Sequence, residues 1–299
     1  MLSARGWLFI ALGAFTVFLV WVWLRSKDRA PGVPSFFELF IGMITNFFDT
    51  LGIGSFAPST SIFKFWRLVP DEKIPGTLNV GHALPTLLEA FLFIAIVKVD
   101  VLTLVLLMGA SVVGAWFGAG VVASWPRRWV QIGMGMALLA AACIFIMQSL
   151  NLLPAGGNAL ILRDWKLWAG VFGSLMLGAF MTLGIGLYGP CMILVSLLGM
   201  DPKAAFPIMM GSCAFLMPVA SARFIQAHSF SPRMALGIAL GGLPGVLLAT
   251  FVFKSLSITA VRWLVVVVVI YAAFTMLRSA LQQRALNQPA AEPAKAKLY

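Results

Sequence analysis

Runs of about 20 apolar residues, separated by short polar segments, recur from Trp7 to Met276. As a helix rising 1.5 Å per residue, each run covers a hydrocarbon core about 30 Å thick. The pattern predicts full-length helices at 6–24, 74–97, 101–123, 130–150, 204–225, 235–253 and 258–277. Two other apolar stretches, 36–68 and 168–200, are interrupted by Gly and Pro, and each predicts a broken helix. The expected fold class is therefore all-α, a polytopic membrane protein. It has an extra N-terminal transmembrane helix (1–30), a first repeat (31–150), a connecting loop (151–166), a second repeat (167–281) and a disordered cytoplasmic tail (282–299). The tail is rich in Ala, Pro, Gln and Lys, a composition that buries too little apolar surface to order itself.

The two repeats correspond residue by residue. Thr50-Leu-Gly-Ile-Gly54, followed by Pro58, matches Thr182-Leu-Gly-Ile-Gly186, followed by Pro190. Asp71-x-Lys73 matches Asp201-x-Lys203, Gly81 matches Gly211, and Arg128-Trp129 matches Arg262-Trp263, all at offsets of 130 to 134. Many transporter folds are built from duplications of this kind. The first arm of the broken segment, Phe37 to Leu51, has 15 residues, or about 22 Å of helix, and falls short of a full span. If each broken segment forms a re-entrant hairpin, each half crosses the membrane an odd number of times and the halves are inverted. That topology puts 14 of the 21 Lys and Arg on the cytoplasmic side, against 12 for a parallel arrangement. The positive-inside rule favours inversion, with the N-terminus outside and the C-terminus in the cytoplasm.

Composition agrees: 61% of the residues are apolar and 10% charged, far from the soluble balance. The net charge of +11 comes from basic residues placed singly or in pairs between apolar runs, so no nucleic-acid partner is expected. Trp21, Trp23, Trp125, Trp129, Trp165 and Trp168 lie near run ends and fit interfacial anchoring. Cys143, Cys191 and Cys213 sit in apolar stretches without metal-ligand or redox spacing and read as small buried residues. Arg25-Ser-Lys-Asp-Arg29 follows the first helix where a signal peptide would have its cleavage site, so that helix is read as retained.

The candidate chemistry gathers at the breaks. Irregular backbone at membrane depth must be buried in protein or line a watery cavity. That directs attention to Gly52, Gly54 and Ser55 in the first half and to Gly184 and Gly186 in the second. The helix starting after each break, near Ser59 and Thr60 or near Tyr188 and Cys191, offers free N–H groups that favour an anion. Asn79, His82, Thr86 and Glu89, spaced 3, 4 and 3 apart, share one face of the next helix, beside Gly81. Polar residues on a membrane helix face the bundle interior or a cavity. His82 is a candidate to bind an anion or to titrate near neutrality, and Glu89 a candidate to carry a coupling proton. Asp49 either stabilises the break or binds a proton; its counterpart is Met181. The second half offers Ser212 and, three turns along the same face, Arg223, which either attracts the substrate or snorkels to the interface.

The paired segments TLGIGSFAPS and TLGIGLYGPC, with N-V-G-H at Asn79–His82 and M-G-S at Met210–Ser212, resemble the TauE/SafE (TSUP) family of membrane exporters. The resemblance runs from about Phe36 to Leu281, and the extra N-terminal helix departs from it. It implies export of small sulfur-containing anions (sulfite, sulfoacetate or related sulfonates) across the bacterial inner membrane, linked to the proton gradient. The partners expected are this anion, the bilayer and protons, with no cofactor and no metal; monomer and homodimer both stay open. An intramembrane enzyme is disfavoured: His82 and His228 are the only histidines, no H-E-x-x-H occurs, and no nucleophile–base pair stands out. A structural assembly subunit would not require two matched breaks.

Overall fold

A computed structural model describes residues 4–26, 33–121, 157–181 and 187–255, with scattered positions between 132 and 150 and between 257 and 281. The chain is all-α over these residues, which include no extended strand. Among the described residues nine α-helices are defined: α1 (Ala4–Arg25), α2 (Phe36–Thr50), α3 (Phe56–Trp66), α4 (Ile74–Ile96), α5 (Val101–Val121), α6 (Asp164–Met181), α7 (Tyr188–Leu197), α8 (Ala205–Gln226) and α9 (Pro232–Ser255). Four of them, α1, α4, α9 and α8 with its preceding 3-10 turn, are long and apolar enough to cross a membrane. The expected helices at 130–150 and 258–277, and the expected tail, fall largely or wholly outside the described residues.

Side-chain caps set the starts of α2 and α5. Ser35 and Glu38 form a capping box that satisfies two free donors at the start of α2. The Asp100 carboxylate accepts from the Thr103 N–H (2.9 Å) and so caps α5. Pro85, Pro218 and Pro244 lie inside α4, α8 and α9, as neighbouring helices permit in a membrane bundle. The helix α6 begins at Asp164, inside the expected loop. The described part of that loop is pinned: the Ala159 N–H donates to the Gly199 carbonyl and the Asp201 N–H to the Ala159 carbonyl.

The most extensive packing joins α2 to α9; α5 with α6 and α4 with α8 follow. Glycine lets the first two pairs approach backbone to backbone. A Cβ at Gly42 on α2 would stand 2.6 Å from the Ile238 carbonyl oxygen on α9, and one at Gly241 on α9 would run into the Leu39 backbone. On the other seam, a Cβ at Gly114 on α5 would meet Leu175, and one at Gly178 on α6 would meet Ser111, again at backbone atoms. Close contact through small residues is how helices associate without a hydrophobic drive between them.

Among the described residues, the large apolar side chains Leu24, Phe36, Trp116, Trp165, Trp168, Phe172 and Phe251 are exposed. Arg25 stacks over Trp21 at 4.6 Å at the end of α1. Cys191 and Cys213 are buried, but Cys143 is exposed. Residence in an apolar run thus did not imply burial.

Candidate functional site

The chain turns between α2 and α3 through Leu51–Ser55. Gly52 (φ +95°) and Gly54 (φ +89°) adopt the left-handed conformation that only Gly takes at little cost. The Gly52 N–H donates to the Asp49 carbonyl (2.7 Å) and the Ile53 N–H to that of Phe48 (3.0 Å), closing α2. Gly52 is buried beneath α7 and α8: a Cβ there would reach Met192 and lie 3.5 Å from the Phe206 ring. At Gly54 no described atom stands within 4 Å of that position.

Around this turn lies a network of buried polar side chains. Asp49 is 2% exposed, and His82 and Glu89 are 0% exposed. The Asp49 carboxyl is buried at the turn, close to Ser55 and Tyr188. The Thr50 hydroxyl lies 2.7 Å from Glu89 Oε1 and 2.7 Å from the Asn46 carbonyl. The Tyr188 hydroxyl lies 3.4 Å from Glu89 Oε2. Residues of α2, α4 and α7 thus converge on two carboxyls.

A second cluster adjoins the first. His82 Nδ1 is 2.9 Å from Asn46 Oδ1, and Nε2 is 3.0 Å from Ser59 Oγ. The Asn46 amide nitrogen donates to the Gly42 carbonyl (2.7 Å), so its oxygen must face the ring and accept. His82 Nδ1 is then the donor, and Nε2 shares a hydrogen bond with the Ser59 hydroxyl. The ring ties α2, α3 and α4 together, and Phe56 lies beside it at 5.9 Å between centroids.

The other expected site residues are distributed as follows. Thr86 is buried on the face of α4 that carries His82 and Glu89, and Thr60 is half-buried on α3. Asn79 is half-buried and donates to the Pro75 carbonyl of its own helix (2.9 Å). Gly81 packs against the Ile238 side chain and Gly211 against Met108, so both serve helix contact. Ser212 is buried and donates to the Ile208 carbonyl (2.7 Å). Cys191 sits in the first turn of α7, and Cys213 is close enough to interact with it and with both carboxyls. Arg223 is exposed, about 15 Å along α8 from Cys213 at 1.5 Å per residue, and does not join the cluster. Gly184 and Gly186 lie outside the described residues.

Two members were not singled out as site residues from sequence. Asn46 stands one turn before Thr50 on the buried face of α2, and Thr50 opens the repeated TLGIG motif. The signal was their spacing of four, which puts both on the face of Asp49 and Gly42. No group of three or more His, Cys, Asp or Glu suited to a metal ion occurs among the described residues. Comparison of the chain with protein-family models, with curated proteins and with solved structures finds no match.

Proposed function

We propose that the chain is a proton-linked secondary transporter of a small sulfur-containing anion, such as sulfite or a sulfonate, in the inner membrane. The observation that carries this reading is the burial of Asp49, His82 and Glu89 around a helix break in an apolar bundle. Ionisable groups inside a membrane protein are costly and mark ion or substrate paths. The resemblance of the paired TLGIG segments to the TauE/SafE family supports the substrate class.

In this reading the halves are inverted repeats, each with a broken helix, and the described contacts support the pairing. On the sequence correspondence, α2 matches α6 and α5 matches α9. The two glycine seams, α2 with α9 and α6 with α5, are then one contact made twice. Gly81 against α9 and its counterpart Gly211 against α5 are another such pair.

The carboxyls decide how an anion could be held. Ionised Asp49 and Glu89 would repel it, while Ser55, Ser59, Thr60 and Tyr188 offer hydroxyl donors and the start of α3 offers its dipole. Protonation removes the repulsion, so anion and proton favour each other's binding, and by linkage the effect is reciprocal. The chemistry described needs no covalent intermediate. The test is flux of sulfite and sulfoacetate into proteoliposomes under pH gradients of both signs. Protein-dependent, pH-sensitive flux is expected; none for any such anion sinks the reading.

A further inference from the structure

We infer that Glu89 carries a proton in this arrangement and that Thr50 is the positioning residue tying that proton to the break between α2 and α3. The inference deepens the proton-linked reading above and rests on it for its functional meaning, but its physical basis is a count of hydroxyl protons. Thr50 Oγ1 lies 2.7 Å from the Asn46 carbonyl oxygen and 2.7 Å from Glu89 Oε1. A carbonyl only accepts, an ionised carboxylate only accepts, and the hydroxyl has one proton to give. With Glu89 ionised, one of the two contacts is an approach of oxygens with no proton between them. With the proton on Oε1, Thr50 donates to Asn46 and accepts from Glu89, and both contacts are hydrogen bonds.

Asp49 is buried at the same turn and lies close to Glu89. Glu89 faces a hydroxyl already committed to the backbone, with the Tyr188 hydroxyl, shared with Asp49, at its other oxygen. The titratable groups facing the pair are Tyr188 and Cys191 on α7 and Cys213 on α8, with His82 two turns back along α4.

Loss of the proton from Oε1 to water turns Glu89 from donor to acceptor. Thr50 must then abandon either the Asn46 carbonyl or the carboxylate. The first choice loosens the last turn of α2 and the second parts it from α4, in both cases immediately before Gly52 and Gly54, the residues whose backbone forms the break. Thr50 thus converts a proton at Glu89 into a change at the break.

The test is infrared spectroscopy of the purified full-length protein in lipid vesicles without substrate, following the carboxylic-acid carbonyl band. The expected result is a band that Glu89→Gln removes and Asp49→Asn retains. Thr50→Val should shift it and Thr50→Ser should restore its position. No acid band in the unmodified protein, or a band that survives Glu89→Gln and vanishes in Asp49→Asn, overturns the inference. If Glu89→Gln does not fold, Glu89→Asp must move the band, and an unmoved band overturns it equally. Because no substrate is present, a failure here is separable from absent sulfite flux, which would sink the transport reading alone.

Discussion

The helix starts that follow the two TLGIG segments, α3 and α7, are built at corresponding positions from different chemistry. In the first half, His82 bridges Asn46 and Ser59. At the offsets of the repeat, the corresponding residues are Ser212, Gly178 and Cys191. A hydroxyl that bonds its own helix, a glycine and a thiol cannot make that bridge. The first start is thus welded to α2 and α4 by side-chain hydrogen bonds. The second is held by apolar packing and by Tyr188, which reaches into the first half's carboxyls. The two glycine seams, by contrast, are alike: α2 meets α9, and α5 meets α6, through glycines set against backbone atoms. Packing preserves the common frame while one side carries the titratable chemistry.

The seams should give the largest effects and test the claim of likeness. Gly241→Leu in the α2/α9 seam and Gly178→Leu in the α5/α6 seam each drive a side chain into backbone. Overpacking typically costs about 1–3 kcal/mol and more where backbone must move. Both variants are expected at or beyond the upper end, read as loss of the folded peak in detergent and a steep fall in Tm. A large loss in one seam with tolerance in the other would break the equivalence.

Next in size is the weld itself. His82→Ala leaves Asn46 Oδ1 and the Ser59 hydroxyl without their partner in a buried site, at about 1–3 kcal/mol for each unsatisfied group. Ser212→Ala at the corresponding position removes a hydroxyl that bonds only its own helix, and should cost less than about 1 kcal/mol. Denaturation of the two variants side by side checks this. Equal losses would mean that the second half is welded as firmly as the first.

On the proposed transport function, the asymmetry should be sharper in flux than in stability. In proteoliposomes, Glu89→Gln is expected to flatten the pH dependence of anion flux and lower its rate at least about tenfold, or ~1.4 kcal/mol. Val219 occupies the corresponding place on α8 and is partly exposed. Val219→Ala should leave the pH profile unchanged. If both variants keep the wild-type profile, the carboxyl is not the coupling group.

How much of this was legible in sequence follows from the range of each interaction. The bounds of α4, Ile74–Ile96, are written in local hydropathy and were readable within one residue, whereas α9 begins three residues before its expected start. The break at Gly52 and Gly54 was readable because left-handed backbone demands glycine. His82 and Glu89 stood out because polar residues on an apolar helix are rare. Thr50 did not, because threonines bond their own helix routinely and its second partner lies 39 residues away. Nor did the reach of Tyr188 across 99 residues to Glu89 leave any local trace. Arg223 shares a helical face with Ser212, but periodicity carries no information about depth, and this side chain ends exposed.

The smallest expected effect concerns how each seam is tied where its helices begin. At the α2/α9 seam, Arg233 Nε donates to Glu38 Oε2 at 3.1 Å, with the Arg233 side chain 43% exposed. At the α5/α6 seam, the Leu162 N–H donates to the Thr103 hydroxyl (3.2 Å), which itself donates to Asp100 (3.0 Å), and Thr103 is buried. An exposed ion pair is screened and contributes about 0–1 kcal/mol. A buried hydroxyl that serves two partners leaves both wanting when removed, at about 1–3 kcal/mol. Thr103→Val should therefore lower stability more than Arg233→Ala, although the latter removes a full charge. The Arg233→Ala loss should also shrink toward zero as salt is raised, whereas the Thr103→Val loss should not. Chemical denaturation of the two variants in urea, at low and at high salt, distinguishes them. If Arg233→Ala proves the costlier change at high salt, the two ties are not ranked by burial, and the seams differ in a way that the glycine contacts do not reveal.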